Sequence, residues 1–153
     1  MLGDVNLFLY EDCDADDDDD DDDEGDGGSE HDETHGKKAV VGEIEIMIAA
    51  RGMRRRGHAH ASVLAFLAYI TSNIAAILEE YRLGSDERSE RYVKYLRVKI
   101  GQENGASVGL FGKLGFVQVG GVNYFGEVEM RMGWRDVVGL REKGEGEVVR
   151  YGV

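Results

Sequence analysis

Apolar and polar positions change period several times along the chain, and each change marks an element. In GDVNLFLY (3–10), Val5, Leu7 and Leu9 fall on one side and Asn6 and Phe8 on the other, the period-two pattern of a half-buried strand. Val40 to Ala49 repeats it, with Ile44, Ile46 and Ile48 facing one way and Glu43, Glu45 and Met47 the other. From 58 to 81 the period lengthens. Val63, Leu67, Ile70, Ile74, Ile77 and Tyr81 recur at steps of three or four, widened by Leu64, Phe66 and Leu78, which predicts one long helix. A polar linker, GSDERSER (84–91), leads to a third strand, YLRVKI (95–100), with Leu96, Val98 and Ile100 on one face. Asn104 is the expected N-cap of a short helix through Leu114, ended by Gly115. FVQVG (116–120) and EVEMRM (127–132) read as strands, and the glycine-rich, charged tail from Gly133 receives no assignment. The order strand, strand, helix, strand, helix, strand, strand predicts a mixed α/β layered domain.

Charge then divides the chain. The formal net charge is −13, yet residues 11–35 hold sixteen carboxylates, eight of them in the unbroken run Asp16 to Asp23. Removing those from 31 acidic residues leaves 15 against 18 Lys and Arg, so the remainder is about +3. A run of this kind repels itself and buries no apolar surface, so residues 11–38 are expected to be a disordered acidic loop inserted between two antiparallel strands. Loop closure tolerates such length because its entropy cost grows only logarithmically. The insert is either a solvated loop or a contact for a basic protein partner. His31 and His35 lie in it without the spacing of a defined metal site, and no metal is expected elsewhere.

Cys13, the single cysteine, excludes a disulfide framework and lies among carboxylates that oppose thiolate formation. MLGDVNLFLY carries an acid where a secretory leader has basic residues. The apolar stretch from Ala61 to Leu78 is interrupted by Ser62, Thr71, Ser72 and Asn73 and striped at helical spacing, so a globular helix is expected and no membrane partner. The lack of a disulfide framework suits a reducing compartment.

Between the second strand and the long helix stands RGMRRRGHAHAS (51–62), in which Arg54-Arg55-Arg56-Gly57-His58-Ala59 fits R-x-x-G-x-A. A helix start presents unpaired N–H groups with partial positive charge, glycine permits close backbone approach, and arginines add charge-assisted contacts. The segment is therefore either a basic surface loop or a cradle for a phosphorylated ligand. It has neither the Walker nor the G-x-G-x-x-G pattern. Nucleic acid is disfavoured as its ligand, because the acidic insert would repel a phosphate backbone and the basic cluster is short.

A second segment follows the next strand: Asn104-x-x-Ser107-x-x-Leu110-Phe111-x-Lys113-Leu114-Gly115-Phe116. The two segments, in this order and on these elements, resemble the GNAT superfamily of acetyl-coenzyme A (acetyl-CoA) dependent N-acetyltransferases. GDVNLFL, GEIEIMIA and KIGQENGASVGLFGKLGF resemble its N-acetyltransferase 9-like branch, over about residues 3–10 and 42–132. The resemblance implies a mixed, mostly antiparallel sheet with flanking helices, whose fourth and fifth strands splay apart around pantetheine. It divides the chain into a partial acetyltransferase domain (1–10 and 39–132), the acidic insert (11–38) and a tail (133–153). It places the backbone of Met47, Ile48 and Ala49 along the cofactor arm, the cradle of Arg54, Arg55, Arg56, Gly57, His58, Ala59 and His60 on its pyrophosphate, and Asn104 and Phe111 beside it. Acetyl-CoA is then a co-substrate, attacked directly by an amine of a protein or peptide. Glu43 or Glu45 would serve as base, unless both are solvent-facing strand carboxylates. His58 and His60 do not share a helical face, which argues against a metal pair.

Two departures matter. Many relatives place a tyrosine near Phe111 to protonate the leaving thiolate, and phenylalanine has no such proton. The superfamily also begins with a strand, two helices and another strand ahead of what stands here at residues 3–10, which would leave GDVNLFLY an exposed edge. The alternative function is a catalytically impaired scaffold that acts through its acidic loop.

Overall fold

A computed structural model describes residues 3–12 and 36–140. The central feature is one five-stranded sheet. Strand β1 (Gly3–Glu11) pairs antiparallel with β2 (Lys38–Ile48), in register from Gly3 opposite Ile48 to Glu11 opposite Val40. A 3-10 turn (Arg51–Met53) and helix α1 (His58–Leu83) carry the chain to β3 (Arg91–Gly101), which runs parallel to β2. Helix α2 (Gly105–Leu114) and the short strand β4 (Val117–Val119) precede β5 (Glu127–Gly133), which inserts between β3 and β4. The strand order is β1-β2-β3-β5-β4, with only the β2–β3 pair parallel.

The alternation read from the sequence sorts side chains onto the two faces. Leu7 opposes Ile44, Leu96 opposes Met132, Val98 opposes Met130 and Ile100 opposes Val128, and all of these lie on the helix side. Val63 and Leu67 of α1, and Phe111 and Leu114 of α2, complete that core. Gly42 is forced by packing: a Cβ there would stand 2.5 Å from Leu96 Cδ2. The opposite face is polar and aromatic, with Phe8, Tyr10 and Met47 exposed beside Glu45 and Lys99. Helix α1 is long and apolar enough by length and composition to cross a membrane. One face of it, through Val63, Leu67 and Ile70, is buried against the sheet, while Leu64, Tyr69 and Leu83 are exposed.

Several boundaries differ from the sequence reading. Glu11 and Lys38, assigned to the insert, are strand residues, because cross-strand pairing continues past the last alternating apolar position. Strand β3 begins at Arg91 rather than at Tyr95, because β2 offers it a parallel partner from Lys38 onward. A bulge at Lys94 shifts the register there, which hides the strand's first half from a period-two search. In the unassigned tail, residues 134–140 are helical and Val137 is fully buried. The acidic run, Cys13, His31 and His35 lie outside the described residues, as does the tail beyond 140.

Both stems of the insertion are fastened to the start of β3 and the loop before it. Arg91 donates to Glu11 (2.8 Å) and Ser85 Oγ (2.9 Å), and Lys94 donates to Asp12 (2.7 Å). Lys38 donates to Glu87 at 2.6 Å, and this contact holds the Glu87 carboxyl below the usual carboxylate value. The Arg91 side chain is wholly buried, stacked on the Tyr81 ring at 5.3 Å, with Nε unbonded.

Candidate active site: a cleft where two parallel strands part

Strands β2 and β3 pair only as far as Glu43 opposite Arg97. Beyond that point β2 stays bound to β1 up to Ile48, while β3 stays bound to β5 up to Gly101. Each strand follows its antiparallel neighbour, so a V opens between them. A cavity of about 360 Å³ fills it, lined by Glu45 and Met47 from one arm, Lys99 and Ile100 from the other, and Asn104 and Phe111 from α2. Backbone groups of Ile44–Ile48 that turn toward β3 have no strand partner, so an extended, amide-bearing ligand meets a ready edge there.

At the open end of the V lies the basic segment. Arg54 Nε donates to Ile48 O at 2.9 Å and folds the loop back on the strand end. Gly57 is the N-cap of α1 with φ +81°, the left-handed region, and supplies no side-chain cap. The first helical bond runs from Ala61 N to Gly57 O (3.0 Å), which leaves the N–H groups of His58, Ala59 and His60 without helical acceptors. A Cβ on Gly57 would meet nothing within 4 Å, so the backbone angle, not crowding, selects glycine here. Arg55, Arg56, His58 and His60 are exposed around the open amides. The donor set is cationic and N–H rich, which suits a pyrophosphate.

The two candidate bases are not equivalent. Glu43 is 8% exposed, and its Oε2 accepts from Arg97 Nε at 2.7 Å with Lys99 Nζ at 3.4 Å. Arg97 also lies over the Tyr10 ring at 5.3 Å. Glu45, one alternation further into the V, is exposed and makes no ion pair with another described residue. Of the two carboxylates, Glu45 is therefore the accessible one, while Glu43 is held by two cations.

The remaining candidates separate in the same way. Met47 and Ile48 lie on the arm of the V, and Ala49 just past its end. Asn104 caps α2, its Oδ1 accepting from Ser107 N at 3.2 Å, and also borders the cleft. Phe111 is 2% exposed and packs edge-on against Phe116 at 5.1 Å, yet reaches the cavity wall. Arg97 and Lys99 were not singled out in the sequence, because their value depends on the β2–β3 register, which alternation alone does not set. Asp4 and Asn6 of β1, paired with Met47 and Glu45 of β2, also border the cleft. Among the described residues no group of His, Cys, Asp or Glu is arranged to hold a metal ion.

No protein-family model matches the chain. An N-acetyltransferase 9-like protein of Schizosaccharomyces pombe is 36% identical over 132 residues, 86% of this chain and 56% of that protein. An alpha/beta-tubulin-N-acetyltransferase 9 of Mus musculus is 31% identical over 132 residues, 86% of this chain and 38% of that one. The chain thus spans about half the length, or less, of the curated relatives it matches. Among solved structures, a spermidine N-acetyltransferase SpeG chimera from Vibrio cholerae and hSSAT superposes with a TM-score of 0.45 at 18% identity, over 64% of this chain and 53% of that one. By sequence along most of its length, the chain belongs with the N-acetyltransferase 9-like proteins of the GNAT superfamily.

Proposed function

We propose that this protein binds acetyl-CoA in the V between β2 and β3 and transfers the acetyl group to an amine of a protein or peptide. The observation that carries the reading is the parting of the strands at Glu43 and Arg97, with an uncapped, arginine-rich helix start at the open end. The amides of His58 to His60, with Arg55 and Arg56, bind the pyrophosphate. The unpaired edge of Ile44–Ile48 orients the amide-bearing arm, and Asn104 and Phe111 border it on the α2 side.

Acetyl-CoA supplies an activated acyl group. The acceptor amine must shed its proton to attack, and Glu45 takes it directly or through a water. A protein amine as acceptor is supported by the mouse relative, whose name assigns it tubulin.

A thermal melt tests the reading. Acetyl-CoA at a hundred times its Kd adds about 2.7 kcal/mol to a protein that binds it only when folded, a rise in Tm of roughly 10 °C for a domain of this size. Gly57→Glu places an anion in the cradle and a side chain at positive φ, and should abolish the rise. A cooperative melt unmoved by acetyl-CoA would refute binding in the V.

A further inference from the structure

We propose that Lys99, oriented by Glu43, is the charge partner of the thiolate that leaves during acetyl transfer. This deepens the acetyltransferase reading and rests on it.

Lys99 is the first residue on the open face of β3 after the strands part, two positions beyond Arg97. Its ammonium stands 3.4 Å from Glu43 Oε2, which Arg97 also occupies, and its side chain remains 36% exposed toward the cleft. Across β5, its register partner Glu129 is engaged by Arg131. Lys99 is the only cation lining the cavity among the described residues. A ligand held at the cradle and laid along β2 from Ile48 back to Ile44 travels four residues, about 13 Å at strand rise. Its reactive end then lies at the apex, beside Lys99.

The chemistry requires a partner at that place. When the amine nitrogen bonds to the acyl carbon, the C–S bond breaks and its electron pair stays on sulfur. The amine proton passes to Glu45 or water, and the thiolate takes its own proton later from solvent. Phe111 has no proton or charge to offer. An adjacent ammonium favours a thiolate over a thiol, and a preorganised cation does so without reorganisation.

The experiment compares affinities of the whole protein for free CoA and for desulfo-CoA, which lacks the thiol, between pH 7 and 9. A bound thiol whose pKa is lowered sheds its proton on binding, so the CoA to desulfo-CoA affinity ratio must climb with pH, up to tenfold per pH unit. The ratio cancels every contribution from phosphates, adenine and titrating side chains common to both ligands. The wild type and Lys99→Arg are expected to show the climb and Lys99→Met none. Turnover in Lys99→Met should fall on the order of a hundredfold with affinity for acetyl-CoA kept. A flat ratio in the wild type, or the same climb in Lys99→Met, overturns the role of Lys99 while leaving binding in the V standing. Failure of the wild type to bind either ligand overturns both.

Discussion

At the scale of single residues, two carboxylates two positions apart on one strand have different surroundings. Glu43 sits at the last paired position, where Arg97 opposes it and Lys99 reaches it, so removing its charge leaves two cations with too little compensation. Glu45 borders an open cavity. Glu45→Gln is therefore expected to lower kcat on the order of a hundredfold or more with acetyl-CoA affinity retained. Glu43→Gln is expected to cost roughly 2–3 kcal/mol in a urea denaturation series. Equal kcat losses with no stability change in either variant would contradict this division. Both glutamates were legible as candidates in GEIEIMIA. Their ranking was not, because it depends on which β3 residue stands opposite each.

Among the elements, the stem of the insertion shows how a fold tolerates an acidic loop. Arg91 gathers Glu11, Ser85 and the carbonyls of Glu87 and Ser89 around a guanidinium removed from water. Losing the Glu11 charge leaves that buried guanidinium with neutral acceptors around it. Glu11→Gln should thus destabilise by about 3 kcal/mol, read as a lowered midpoint in chemical denaturation. Elements with clean periodicity, such as β1, α1 and the capped α2, were legible. The first half of β3 was not, because the bulge at Lys94 breaks its alternation. The helical residues 134–140 were passed over although Trp134, Val137, Val138 and Leu140 recur at helical steps, because charged, glycine-rich sequence around them masked so short a run.

For the whole molecule, the site is a consequence of topology. The parallel β2–β3 pair lies between two antiparallel hairpin-like pairs, and each strand leaves the other to stay with its own partner. A ligand in the V should accordingly protect amides from β2 and from the first turn of α1, with little effect on β4 and β5. Hydrogen exchange with and without acetyl-CoA checks this: protection is expected at residues 44–49 and 58–60 and none at 117–119. Unchanged exchange at 44–49 and 58–60 under saturating acetyl-CoA would instead contradict a ligand in the V.

The sequence alone determined the strands, the long helix, the capped short helix and the glycine-bearing basic segment, because periodicity, caps and positive-φ glycines are local and written in neighbouring residues. Through two motifs it also pointed to a superfamily. Tertiary structure decided where β2 and β3 stop pairing, and hence that there is a cleft. It locked Glu43 and left Glu45 open, and it brought Lys99, fifty-six residues from Glu43 in the chain, within 3.4 Å of its carboxylate. Those outcomes depend on register between strands separated by a 26-residue helix. Register is fixed by packing across the sheet, which no local pattern encodes.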